Sequence, residues 1–199
     1  MSKTTNSQCK LKLNVEYKLC DKEGRVKPLF QENPLARFLV GKKGWLSPSW
    51  VNRWYAVFLT PFLGGWANSR LVSNIITNVG MAGMASRING ADGVAAFTWI
   101  AIGTGTVAAA VGDTALGAEI TTGGGARANS TVSRVTTTVT NDTAQNQHTY
   151  TFTAPFAITE SGVLNAGTAG VLSARQVFSA VNVVNGDSLQ ITWRKRVSG

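Results

Sequence analysis

Residues 97–120 read FTWIAIGTGTVAAAVGDTALGAEI, and the fold turns on them. The stretch opens as an apolar strand over 98–102, and a strand this apolar needs cover on both faces. It then passes through Gly103-Thr104-Gly105-Thr106 into a small-residue segment punctuated by Gly112-Asp113 and Gly117. Upstream the chain is basic and irregular; downstream it is Thr-rich and alternating. The seam therefore falls just before this strand. Two regions are expected: 1–90, a basic, Trp-rich attachment region with a hairpin and a helix, and 91–199, a β-sandwich body.

Charge supports that division. Residues 1–90 hold 13 Lys and Arg against 4 Asp and Glu, while 91–199 hold 6 of each, so the whole net charge of +9 lies in the first part. A neutral body with a basic arm suggests an arm that meets an acidic partner, whether protein, nucleic acid or lipid surface. With 199 residues, 44% hydrophobic and 15% charged, the chain can bury one sizeable core. Cys9 and Cys20 lack metal-ligand spacing and read as two free thiols, the alternative being a bridge where the two ends of one hairpin meet. The opening MSKTTNSQCK is polar and carries no signal-peptide pattern. The greasiest window, 54–66, is too short to span a bilayer and is broken by Pro61 and Gly64-Gly65, so no membrane partner is expected.

Before the seam, Leu11, Leu13, Val15, Tyr17 and Leu19 alternate with Lys12, Asn14, Glu16 and Lys18, the pattern of a half-buried strand. Asp21-Lys22-Glu23-Gly24 predicts a turn, and 25–30 can return as a second strand until Pro28 limits its pairing. Residues 33–67 interleave aromatics with bases. Trp45, Trp50, Trp54 and Trp66 stand among Arg37, Lys42, Lys43 and Arg53, which makes these eight the candidate assembly interface. Interleaved rings and cations can serve nucleic acid. No nucleic-acid module pattern is present, however, and Trp is an anchor residue of protein interfaces, so a protein partner is favoured. Residues 71–88 have the spacing of an amphipathic helix, with Leu71, Ile75, Val79 and Ala82 on one side, Asn68 or Ser69 as N-cap and Gly90 past the end. Gly80 and Gly83 weaken it by about 1 kcal/mol each relative to Ala, which close packing on a sheet would offset.

After the seam, 121–125 (TTGGG) reads as a flexible link. Strands are expected over 131–140 and 147–154, joined by turn residues 141–146, with Val135, Thr137 and Val139 sharing one face and Tyr150 and Phe152 another. Short strands follow over 156–159, 162–165, 172–178 and 189–197. In the last, Leu189, Ile191, Trp193 and Val197 face inward against Gln190, Thr192, Arg194 and Arg196. Many short strands at close spacing indicate a mainly β chain with a sandwich or jelly-roll-like body.

The sequence carries no recognisable catalytic constellation. Gly103-Thr104-Gly105-Thr106-Val107-Ala108 matches a dinucleotide fingerprint, but Gly112-Asp113 interrupts the helix it needs and no βα alternation follows. His148 is the only histidine and has no second metal ligand nearby. Asp92, Asp113, Glu119, Asp142, Glu160 and Asp187 are isolated in sequence, mostly at turns where Asp caps N–H groups. No GxSxG elbow occurs. The reading is a non-enzyme with no catalytic, cofactor-binding or metal site.

Taken with Gly186-Asp-Ser-Leu-Gln-Ile-Thr-Trp193, residues 97–120 resemble a family of small β-rich structural proteins of tailed-bacteriophage virions. The shared features are a strand, an IGTGT-like turn, a DTAL segment, Thr-rich strands, a short ITESGV-like strand and a closing GDSLxxxW strand, over roughly residues 74–197. The resemblance implies a virion protein assembled in the host cytoplasm. A capsid decoration (cement) protein docking through its N-terminal region is the first placement, and a tail component, fibre or receptor-binding adaptor the second. The implied partners are the major capsid protein or tail proteins, together with further copies of the chain.

Overall fold

In the computed structural model the described residues are 10–32 and 64–198. In chain order the elements are β1 (Lys10–Cys20), β2 (Val26–Lys27), β3 (Leu29–Glu32), β4 (Gly64–Ala67), β5 (Arg70–Ser73), β6 (Ile75–Ile76), helix α1 (Asn78–Asn89), a 3-10 turn (Ala91–Gly93), β7 (Trp99–Gly103), β8 (Ala128–Asn129), β9 (Thr131–Val135), β10 (Thr143–Thr151), β11 (Phe156–Leu164), β12 (Leu172–Val183) and β13 (Ser188–Ser198). The strands form an antiparallel sandwich. One sheet runs β2-β1-β13-β10-β9 with β5 also paired to β1, the other runs β6-β12-β11-β7-β8, and β3 pairs with β4 in a small ribbon.

β1 lies in the middle of the first sheet, paired with β13 from Lys10↔Ser198 to Cys20↔Ser188. Its alternation works as expected: Leu13, Val15, Tyr17 and Leu19 enter the core while Lys12, Asn14 and Lys18 stay in solvent. The sandwich is thus built from both sides of residue 90, because an apolar strand face needs a sheet to cover it and β13 supplies the neighbouring edge. Between the sheets, Trp193 Nε1 donates to Ser161 Oγ at 3.1 Å, Ser161 Oγ donates to the Ala101 carbonyl at 3.0 Å, and Tyr150 Oη donates to the Ile100 carbonyl at 2.7 Å. The polar atoms of Trp193 and Tyr150 are thereby satisfied, as burial demands. The Asp21 turn forms as expected, with the Asp21 carboxylate accepting from the Glu23 and Arg25 N–H groups and Gly24 at positive φ. Cys20 is a free thiol; Cys9 lies outside the described residues.

Four local expectations are corrected. The helix is shorter than 71–88: residues 70–73 and 75–76 are strands, and α1 starts only after Thr77, whose Oγ1 accepts from Gly80 N at 2.9 Å. Its buried face is Gly80, Gly83 and Ser86, leaving Val79 and Ala82 exposed. β9 ends at Val135 because the Asp142 carboxylate collects the N–H groups of Thr137, Thr138 and Val139, which moves the turn ahead of the expected 141–146. Residues 121–125 are packed: a side chain at Gly124 would run into the Thr151 carbonyl, and Thr153 N donates to the Gly123 carbonyl at 3.0 Å. In β13 the inward position after Trp193 is Lys195, while Val197 is exposed.

Candidate functional site: a loop fastened to the outer sheet

β7 buries both faces, as its composition requires. Ile100 and Ile102 face the first sheet, while Ala101 and Trp99 face outward with Leu164 and Leu172. Leu116 closes over that second cluster. The cover is the segment that follows β7, folded back on its own strand: Thr104 N donates to the Ala118 carbonyl and Ile120 N to the Ile102 carbonyl, both at 2.9 Å. Gly162 leaves room for it, since a Cβ there would sit 2.7 Å from Leu116 Cδ1.

Glu160 fastens the cover. It stands on β11 with no solvent exposure, and its Oε1 accepts from Gly105 N at 3.0 Å and Ala118 N at 2.7 Å. Its Oε2 accepts from Gly117 N at 3.0 Å and Arg175 Nε at 2.8 Å. Arg175, on β12 beside it, reaches Asp113 Oδ2 at 2.8 Å and the Val107 carbonyl at 3.1 Å. Burial works to raise the Glu160 pKa, but the Ala118 and Gly117 N–H groups and the Arg175 guanidinium outweigh it and hold the carboxyl below its ordinary value. Asp113 is lowered in the same way, burial being overcome by the Ala110 N–H and Arg175. Gly103 and Gly105 are glycines because a Cβ at either would strike Glu160. The Gly105 N–H that a dinucleotide fingerprint would offer to phosphate is therefore occupied by a carboxylate of the chain itself.

A second ion pair ties down the far end. Arg127 meets Glu119 in a two-pronged contact at 2.8 and 2.7 Å and donates to the Ala166 and Ala169 carbonyls. The near end meets the helix, where Asn78 N donates to the Val111 carbonyl at 2.7 Å. Among the side chains this frame presents to solvent are Val107 and Val111 on the loop and Met81 and Ile88 on α1, with Ile88 88% exposed. The helix is turned inside out relative to the usual amphipathic arrangement, its glycines inward and larger apolar side chains outward. The carboxylates of the frame are all engaged within it, Glu160 by backbone N–H groups and Arg175, Asp113 by Ala110 N and Arg175, and Glu119 by Arg127.

Of the candidate interface residues, Trp66 lies on β4 with Phe30 of β3 as its strand partner. Trp45, Trp50, Trp54, Arg37, Lys42, Lys43 and Arg53 lie outside the described residues. The segment carrying them, 33–63, leaves from Glu32 and returns at Gly64, which are paired across the β3–β4 ribbon. His148 is half-buried with its ring edge-on to Tyr150, centroids 4.6 Å apart, and burial lowers its pKa. Among the described residues no group of three or more metal-ligating side chains occurs, and no helix is long and apolar enough to cross a membrane. Sequence reasoning did not find the Glu160–Arg175 pair. The available signal was a lone charge within each of two apolar strands, FAITESGVL and LSARQVF, where burial requires a partner. Comparisons with protein-family models, curated proteins and solved structures give no match.

Proposed function

We propose that the chain is a non-enzymatic structural component of a tailed-phage virion, a capsid decoration (cement) protein that docks through its N-terminal region. The supporting observation is what the residues of the resembling motifs do. Gly103 and Gly105 make room for Glu160, Asp113 holds Arg175, and Leu116 fills the cover. Asp187 accepts from Val184 N at 3.0 Å and pairs with Lys27 at 2.6 Å, and Trp193 fills the core. Every one of these residues serves the frame, as motifs shared by a structural family would. The exposed Val107, Met81 and Ile88 are apolar side chains that contact with further copies of the chain would cover.

Docking is assigned to Trp45, Trp50, Trp54 and Trp66, with Arg37, Lys42, Lys43 and Arg53 steering the encounter. A truncated Trp anchor in a desolvated pocket costs at least about 2 kcal/mol, against about 0 to 1 for an exposed charge. Trp50→Ala or Trp54→Ala should therefore weaken particle attachment more than Lys42→Ala with Lys43→Ala. The reverse order would make the segment an electrostatic tether.

The deciding experiment is quantitative mass spectrometry of purified virions. A copy number on the order of hundreds fits decoration of a symmetric shell. A few copies would favour the second reading, a tail fibre or receptor-binding adaptor, and absence from the particle would end both.

A further inference from the structure

We propose that β9 is a docking edge for a second copy of the chain, the two β9 strands pairing antiparallel about a two-fold axis at Ser133. One sheet then runs through both copies. β9 ends the six-stranded sheet and is paired with β10 on one side only. In an antiparallel ladder alternate residues turn their N–H and C=O groups away from the partner strand. The groups that β9 turns away from β10 have no partner among the described residues. Thr131, Val132, Ser133 and Arg134 are exposed, so the edge is open to another extended strand.

The other ends of the two sheets are shorter. β2, β6 and β8 have two residues each, β2 running into Pro28 and β6 into the cap of α1, and β5 beside β1 has four. β9 has five residues, no proline and an unbroken register with β10. Its core-side row also lacks cover. Val132 stands in register with Asn146 and, beyond it, Trp193, both buried, yet Val132 is 56% exposed. A strand added at this edge would cover it and satisfy the backbone together.

The occupant is a second copy because the edge complements itself. With the axis at Ser133, Thr131 faces Val135 of the second copy, a β-branched pair that suits a ladder. Val132 faces Arg134 of the second copy, whose aliphatic stem can cover the valine while its guanidinium stays in water. Arg134, which has no ion pair among the described residues, also selects the register. An axis at Arg134 would set two guanidinium groups opposite each other, and an axis at Val132 would pair only residues 131–133 with one another. An axis between two residues would set a core-side row against an outer one. Only Ser133 lets all five residues of each strand pair, giving the closed two-fold contact of an isologous dimer. Such pairing is independent of the virion reading.

The test is analytical ultracentrifugation of the full chain at low salt, beside Ser133→Lys and Ser133→Asp. Ser133 is exposed in register with Gln145 on the outer face, so both variants should fold, which circular dichroism checks. Wild type should sediment as a dimer. Each variant sets like charges across the axis and should weaken self-association at least about tenfold. Mixing the two variants in equal amounts should restore the dimer, because opposite charges then face each other. In the wild-type dimer the amides of 131–135 that point away from β10 should exchange with solvent more slowly than in either variant alone. A monomeric wild type would overturn the assignment and leave the edge to a strand of another protein. A dimer that both variants leave intact would place the contact on another surface, and a mixture of monomeric variants that fails to associate would show that the two Ser133 residues do not meet.

Discussion

Two buried charges, Glu160 and Lys195, sit on the two sheets of this sandwich and have opposite fates. Glu160 lies under a loop that brings three N–H groups, of Gly105, Gly117 and Ala118, to its oxygens and faces Arg175 along the neighbouring strand. Lys195 points into the end of the core, 7% exposed, with Ser173 Oγ at 2.8 Å and the Phe97 ring centroid at 5.1 Å. No carboxylate pairs with it among the described residues, and burial pushes its pKa down to about 7. A charge inside a protein is tolerated either by supplying enough partners or by letting it neutralise, and this chain does one on each sheet. The first option makes a fastening; the second makes a pH-dependent weak point.

Breaking the fastening should have the largest effect. Glu160→Gln keeps the shape but removes one of the two carboxylates that pair with Arg175 and turns an acceptor oxygen toward the loop's N–H groups into a donor, at a cost of about 3 to 5 kcal/mol. For a chain of this size that lowers the thermal midpoint by about 6 to 20 °C. Because the folded Glu160 pKa lies below its unfolded value, its contribution is complete above the unfolded value and lost as pH falls through the folded one. The variant should lose that part of the acid sensitivity. A Glu160→Gln protein as stable as wild type by circular dichroism would mean the loop is held by Leu116 packing, its backbone bonds to β7 and the Arg127–Glu119 pair without Glu160.

Gly80→Ala is the next largest. The helix docks where β12 bulges: the register passes from Val163↔Ala174 to Leu164↔Leu172, leaving Ser173 unpaired in the ladder. There the Ser173 carbonyl receives Thr77 N at 3.3 Å and blocks any Cβ at Gly80. Overpacking should cost about 1 to 3 kcal/mol. Urea titration reads the sign, since helix propensity alone would instead stabilise by about 1 kcal/mol.

Per pH unit, Lys195 yields a small effect, and the most specific one. Its folded pKa is depressed, so between about 7 and the unfolded value near 10.5 the unfolded chain binds more protons and stability rises with pH. The slope is at most about 1.4 kcal/mol per pH unit. Lys195→Met should flatten it and make the protein more stable than wild type at pH 6. Equal slopes in the two proteins would show that Lys195 stays charged in the fold, with an acceptor close by.

The sequence by itself determined the class of the fold. Alternation in 11–19 and in Leu189, Ile191 and Trp193 placed two strands with the correct faces inward, and the apolar 98–102 run demanded double cover, because periodicity records which side of a strand meets water. Gly24 and Gly90 marked a turn and a helix end that do adopt positive φ. Other features depended on partners remote in the chain. β1 finds β13 across nearly the whole sequence, Glu160 finds the backbone of 105–118, and Ser173 meets both α1 and Lys195. Local pattern also misled where tertiary contacts reversed it. The glycines of α1 face inward because the Ser173 carbonyl and Phe97 leave no room for a Cβ, so the face that hydrophobicity would bury is the one exposed. Composition specifies how much must be buried, and only the assembled sheets decide which surfaces remain to do it.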